Sequence, residues 1–258
     1  MEESGNHPAI SGRIVTTLYC TAESPLSEER TTPSKDHHPR RPRVVIVGGG
    51  LSGLAAASCL VEHGLEVVLL ESRPRLGGRA GSFTDPTTGE LVDNCQHVSM
   101  ACCTNLADFC NRVGTRHLFR VVREIVFLSR EGKTSTLAAS WLPAPFHLAG
   151  SFLRANYLSF VDKMRVGYAL ARLRFDRTGK PNESFAAWLI RHHQTPQTIE
   201  RYWGTVLISA LNELPEQMDV SHARKVFFDG FLRNRKGFEM EVPLVPLGDL
   251  YGKRLRSA

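Results

Sequence analysis

The stretch Val44–Glu71, VVIVGGGLSGLAAASCLVEHGLEVVLLE, constrains this chain more than any other. Val44 to Val47 is an apolar run of buried type that stops at a glycine cluster and reads as a strand. A small-residue helix follows from Leu51 to about His63, with Leu51, Leu54, Leu60 and Val61 on its apolar face. Ala55 to Ser58 allow close packing, and Gly64 ends the helix as a left-handed C-terminal residue. Glu66–Leu70 is the second strand, with Glu71 at its end. A parallel pair joined by a crossover helix begins a doubly wound sheet. The glycine spacing is what a phosphate-bearing dinucleotide requires of a backbone. Gly48 allows the turn off the strand, Gly50 admits a pyrophosphate, and Gly53 lets helix and strand pack closely. Leu51 and Ser52 open the helix, whose free N–H groups and positive dipole end favour an anion. The Glu71 carboxylate stands where it can accept both hydroxyls of an adenosine ribose.

The next eight residues depart from a plain nicotinamide domain, which would continue into an ordinary helix. Here Ser72 and Arg73 are followed by Pro74, Arg75, Leu76, Gly77, Gly78 and Arg79. Paired glycines let a backbone approach a ligand, and Arg79 can offer its guanidinium fork to a phosphate or to a flavin edge. Gly81–Thr84 and Glu90–Asp93 flank a Pro- and Gly-bearing turn and read as a hairpin. Asp93–His97 then leads to a helix from about Thr104 to Arg112, stopped by Gly114.

Beyond Gly114 the periodicity changes. Val121–Leu128 and Thr134–Leu137 read as a strand pair. Helical patterns follow at Pro145–Leu158, at Ser159 to about Arg174 with Ser159 and Asp162 as a capping pair, at Glu183–His192 and at Gln197–Leu211. Phe160, Met164, Leu170 and Leu173 form an expected core stripe. Pro145–Phe160, apolar with few charges, is expected to shape the mouth of an apolar tunnel.

Composition narrows the classes. No run approaches the roughly 18 to 20 apolar residues of a membrane span, and no secretory signal is visible. The net charge of +6 is modest and lacks a patterned aromatic patch, so nucleic acid is not an expected partner. The basic run His37–Arg43 is compatible with an anionic membrane surface. The six cysteines form no CxxC pair, and Cys95, Cys102, Cys103 and Cys110 with His97 fit no zinc spacing, so neither a disulfide framework nor a metal is expected. Residues 1–40, rich in Ser, Thr, Pro, Glu and His, read as a disordered leader.

The segments GGGLSGLAAASCL, VVLLESRPRLGGRAGSF and GELVDNCQHVSM resemble the amino-terminal part of flavin amine oxidase and carotenoid desaturase-type proteins. Asp93–His97 resembles the Asp-x-Gly-x-His pattern of the desaturases, and GRAGSFTDPTTGELVDNCQHV is most similar to the squalene-associated branch, the hydroxysqualene dehydroxylases. The chain departs from that pattern with Cys95 at a family glycine, Ala101 at another, and Cys103 at an aromatic position. The resemblance implies an α/β fold: a Rossmann-like FAD-binding domain at 41–115 and an inserted, mostly helical α+β substrate domain at 116–240. The resemblance also implies that 241–258 is the start of a return segment, with the family's carboxy-terminal part expected to be missing. It further implies FAD as cofactor, held by Gly48, Gly50, Leu51, Ser52, Gly53, Glu71, Ser72, Arg73, Gly77, Gly78 and Arg79. His97 is the catalytic candidate, an imidazole able to hand a proton to a leaving hydroxyl. The implied activity is oxidoreduction of a long isoprenoid, hydroxysqualene to squalene, in the cytoplasm or at the inner membrane face. Two other readings stay open: a related flavoenzyme, and a truncated, non-catalytic dinucleotide-binding remnant; the alternative to truncation is a partner chain that supplies the remaining half.

Overall fold

The computed structural model describes residues 14–18, 42–94, 98–129, 132–176 and 179–253. His97, Cys95 and the run from His37 to Arg41 lie outside the described residues. The chain divides into two compact units. The first draws on residues within 1–97, 105–120 and 243–258, the second on 98–104 and 121–242.

The first unit holds a parallel three-stranded sheet. Its strands are β1 (Ile14–Leu18), β2 (Arg43–Val47) and β3 (Glu66–Glu71), in spatial order β1-β3-β2. Between β2 and β3 runs α1 (Leu51–Glu62), with Leu54, Ala57, Ser58 and Val61 buried. That i, i+3, i+4, i+7 spacing is the core stripe of a packed helix. It closes on Ile46, Val67 and Leu69, of which Val67 and Leu69 are fully buried. The alternate face of β2 differs from the expected buried run, with Val45 54% and Val47 83% exposed. A strand turns successive side chains to opposite faces, and α1 covers one of them. The expected leader is also corrected in part, because Ile14–Leu18 pairs in parallel with β3 from Ile14↔Val67 to Leu18↔Glu71. Its sequence IVTTL is β-branched at four of five positions, and the edge of β3 offers it an open ladder.

β4 (Ser82–Thr84) and β5 (Leu91–Asp93) form the expected hairpin, with Ser82 opposite Asp93. Helix α2 (Thr104–Arg112) follows, and Arg112 bridges its own Asp108 and Glu62 of α1. The residues after Pro243 belong to this unit. Leu247, Leu250 and Tyr251 are buried with Leu54, Leu76 and Phe109, each apolar side chain contributing roughly 1.5–3 kcal/mol.

In the second unit β6 (Ser99–Met100) lies in a three-stranded sheet with β7 (Phe119–Val122) and β10 (Met240–Pro243), in the order β6-β10-β7. The β6–β10 pairing is antiparallel, Met240 opposite Met100. β8 (Glu124–Leu128) and β9 (Thr134–Ala138) make an antiparallel hairpin. Pro145–Leu158 is not one helix. A 3-10 turn at Phe146–Leu148 leads into α3 (Ala149–Arg154), and the chain then leaves the helical path. Asn156 explains the exit: its N–H donates to Ser135 Oγ at 3.0 Å and its side-chain amide to the Thr134 carbonyl at 3.3 Å.

Helix α4 (Phe160–Phe175) begins at Ser159, whose Oγ accepts the Asp162 N–H as the capping pair predicts. Its buried face is Asp162, Val166, Ala169 and Leu173, so the expected stripe is rotated: Phe160 and Met164 are exposed. After α5 (Phe185–Arg191) a longer helical run starts with α6 (Pro196–Thr198), passes a π-helical stretch at Ile199–Gly204 and ends in α7 (Thr205–Leu211). α8 (Val220–Lys225) runs into a second π-helical stretch, Val226–Leu232. Trp203 is fully buried, 5.6 Å from Phe185 and 4.8 Å from Phe227, and its Nε1–H donates to Gln194 Oε1 at 2.9 Å. It is a core aromatic with its polar atom satisfied. No helix among the described residues is long and apolar enough to cross a membrane.

Candidate functional site

The glycines of the first unit form a cradle at the carboxyl ends of β2 and β3. Gly48 has φ +103°, a left-handed value that favours glycine, and its N–H donates to the Leu70 carbonyl at 2.7 Å. A Cβ on Gly53 would overlap the Gly48 carbonyl oxygen and touch Ile46, so only glycine at this position allows the close approach of helix and strand. A Cβ on Gly50, by contrast, would project into open space. Gly50 precedes α1 with an extended backbone, and no side chain caps the helix and no acid stands in its first turn. The N–H groups of Leu51, Ser52 and Gly53 are thus left to an anion, with the helix dipole behind them.

Gly77 and Gly78 close the other side. Gly77 N–H donates to the Gly49 carbonyl at 2.8 Å, Gly50 and Gly77 form a parallel bridge, and a Cβ on Gly78 would sit 3.1 Å from Gly50 Cα. Both glycines have positive φ. The structure therefore brings the two glycine clusters of the sequence into backbone contact.

Glu71 caps the cradle. Its Oε2 accepts the Gly49 N–H at 2.7 Å, and its Oε1 accepts the Arg73 N–H at 2.9 Å and the Ser72 hydroxyl at 3.3 Å. Burial raises its pKa, but the N–H groups of Arg73 and Gly49 and the Ser72 hydroxyl outweigh it, so the carboxyl titrates below its usual 4.5. The carboxylate is fixed and charged, with lone pairs left for a vicinal diol. Ser72 and Arg73 serve Glu71 through these contacts. Arg79 is exposed, and its carbonyl anchors the Asn94 side chain at 3.2 Å. An open backbone cradle, an uncapped helix and a locked carboxylate fit the adenosine and pyrophosphate of a dinucleotide.

The sequence reading missed what braces this cradle. Asp93 Oδ1 accepts the Ser82 hydroxyl at 2.6 Å and the Leu247 N–H at 3.0 Å, and Ser82 Oγ accepts the Gly248 N–H at 2.8 Å. Tyr251 lies against Gly77. The acid opening Asp93–His97 thus ties the hairpin to the returning chain, some 150 residues away in sequence, and no local signal marks such a bond.

A second feature lies within the second unit: an apolar cavity of about 600 Å³. Phe127, Phe152, Tyr202, Phe227, Phe228 and Phe231 supply aromatic wall, and Arg174 is the one charged residue of the lining. Tyr202, Phe227, Phe228 and Phe231 all come from the two π-helical stretches, wide turns that recur at functional sites. Burial raises Tyr157, on the same wall, to about 12. Pro145–Tyr157 supplies eight lining residues, in keeping with the apolar tunnel expected there.

Comparison with known proteins agrees with this architecture. Residues 51–218 match the family model of flavin containing amine oxidoreductases. The zeta-carotene desaturase of Zea mays is 33% identical over 205 residues, which is 72% of this chain and 36% of the desaturase. The hydroxysqualene dehydroxylase of Zymomonas mobilis is 33% identical over 82 residues, 32% of this chain and 20% of that enzyme. An oxidoreductase from Methanosarcina mazei superposes with a TM-score of 0.57 at 18% identity, covering 83% of this chain and 49% of its own, a likeness of fold alone. The chain thus spans little more than a third of the desaturase length it matches. With the family match covering well over half of the chain and the glycine cradle in place, the chain belongs to the flavin containing amine oxidoreductase family, and FAD is the dinucleotide its first unit is built to hold.

Proposed function

We propose that this chain belongs to an FAD-dependent oxidoreductase of carotenoid desaturase type that acts on a long isoprenoid. The observation that carries this reading is the cavity of about 600 Å³, aromatic-walled and almost uncharged. It lies within the roughly 300–1,000 Å³ of small-molecule sites, yet offers few polar groups to orient anything but hydrocarbon. Bound FAD would supply two-electron chemistry. This chain's own residues would do the holding: Glu71 the ribose, the start of α1 the pyrophosphate, and the aromatic wall an apolar chain kept from water. His97 remains the proposed proton-handling group.

A finer reading is the loss of a hydroxyl from hydroxysqualene, supported by the Zymomonas relative and by the sequence Gly78–Val98. The longer match to a zeta-carotene desaturase favours dehydrogenation of a polyene. Incubating the full gene product with FAD and either zeta-carotene or hydroxysqualene, with product masses read out, distinguishes them. Loss of two hydrogens from the carotene supports the first reading and appearance of squalene the second. Binding of FAD with neither product formed would refute both. Peripheral membrane contact belongs to the same proposal: Phe146, Leu153, Phe160, Val161 and Met164 are exposed, and Lys163 beside them reaches across to the Leu153 carbonyl at 2.7 Å.

A further inference from the structure

Most polar side chains that line the apolar cavity are already served. Thr136 and Arg174 are exposed to solvent. Ser135 Oγ accepts the Asn156 N–H at 3.0 Å, and Ser151 Oγ donates to the Ala138 carbonyl at 2.6 Å and accepts the Ala138 N–H at 3.1 Å. Two phenols remain. Tyr157 and Tyr202 line the same wall half-buried, and neither hydroxyl has a hydrogen-bond partner among the described residues.

Both rings are held in place. Tyr157 lies 5.7 Å from the ring of Phe127. Tyr202, within the π-helical stretch Ile199–Gly204, meets Phe152 edge-on at 5.5 Å and stacks on Phe227 at 5.8 Å. Backbone ties the two segments together, since Arg201 Nη1 donates to the Tyr157 carbonyl at 3.5 Å. Phe127 and Tyr157 also line a second cavity of about 280 Å³, completed by Leu128, Ser129, Glu200, Arg201 and Thr205. Tyr157 thus stands where an apolar cavity adjoins a polar one. Burial raises both phenols, so both keep the proton they would donate.

A ligand that fills the apolar cavity strips water from these hydroxyls. It must either supply an acceptor or leave the donors bare, and a bare buried donor is costly. A site built to hydrogen-bond a ligand oxygen therefore rejects the analogue that lacks one. We propose that Tyr157 and Tyr202 are specificity-determining groups that select an isoprenoid bearing one hydroxyl or carbonyl. The ligand oxygen accepts from the phenols at the Tyr157 end, beside the polar cavity, and the hydrocarbon chain fills the apolar one. This selection presupposes the cavity as the isoprenoid site and narrows the class that the site takes.

The test is equilibrium dialysis of the purified chain with labelled farnesol and with labelled farnesene, which share a carbon skeleton and differ chiefly in the hydroxyl. Tyr157→Phe and Tyr202→Phe each remove only a hydroxyl without a partner, so both variants should fold. Loss of one neutral hydrogen bond should weaken farnesol about three- to tenfold in Tyr157→Phe. Farnesene should bind that variant as well as, or better than, it binds the unsubstituted chain. In the double variant the preference for farnesol should vanish. Equal changes for the two ligands, or no change for farnesol in either variant, would overturn the role of the phenols and leave the cavity as an isoprenoid site. Binding of neither ligand to the unsubstituted chain would overturn both.

Discussion

Replacing Glu71 with Gln tests the cradle where its chemistry is most localised. The carboxylate accepts at both oxygens, from Gly49 N–H at 2.7 Å and from Arg73 N–H at 2.9 Å. A carboxamide has one oxygen, so its NH₂ group must face one of these donors. Because the site is only half-buried, that mismatch should cost the free protein about 1 kcal/mol, the low end for an unsatisfied group. The larger loss falls on the nucleotide. Ribose hydroxyls donating to an anion lose the charge-assisted part of their bonds, about 1.5–3 kcal/mol in all, so ADP and FAD should bind about 10- to 150-fold more weakly. Titration calorimetry with ADP and with 2′-deoxy-ADP reads this directly. The unsubstituted protein should lose affinity when the hydroxyl is removed, and Glu71→Gln should lose much less, because the two changes delete one interaction. The carboxyl's pKa is depressed in the folded state, so its contribution is complete above 4.5 and is lost as pH falls through the lower folded value. ADP affinity should accordingly stay level from pH 7 to 5. A change below threefold in Glu71→Gln with the fold intact, or equal 2′-deoxy penalties in both proteins, would refute the assignment.

Two further substitutions probe the second unit. His147 is fully buried with neither ring nitrogen hydrogen-bonded, so His147→Leu should raise urea-melt stability by about 1–3 kcal/mol. Burial, then the Arg235 charge, hold its pKa below 6.5, so the unfolded chain binds the proton first and stability falls as pH drops below 6.5. The variant should show a shallower fall between pH 7.5 and 5.5, and an unchanged fall would count against the buried-neutral assignment. Trp203→Ala removes a fully buried aromatic side chain from the cluster and orphans Gln194 Oε1, and should cost about 3–5 kcal/mol in the same melt.

The parts legible in the sequence were those governed by local rules. Gly48 takes the positive-φ turn and Gly53 the close helix–strand approach that the spacing implies, because both lie within one βαβ unit. Ser159 with Asp162 and the Asp85–Gly89 turn read correctly because capping and turn chemistry span four or five residues. Ile14–Leu18 was passed over because a five-residue β-branched run in a polar segment becomes a strand only when β3 offers it an edge. The helix expected across Pro145–Leu158 breaks where Asn156 finds partners on β9, some twenty residues earlier. Met164 fits a helical stripe by spacing, yet α4 packs through Asp162 and Val166 instead, because neighbouring elements decide which face is inward.

By itself the sequence determined the dinucleotide cradle, since glycines without Cβ atoms and an acid at a strand end impose the same backbone geometry wherever they occur in that order. Only the tertiary structure decided what surrounds it. The Ser82–Asp93 tie to Leu247 and Gly248 and the aromatic cavity drawn from two π-helical stretches both join residues far apart in the chain. Their energies come from packing and desolvation, which depend on what folding brings near, and local spacing carries no record of that.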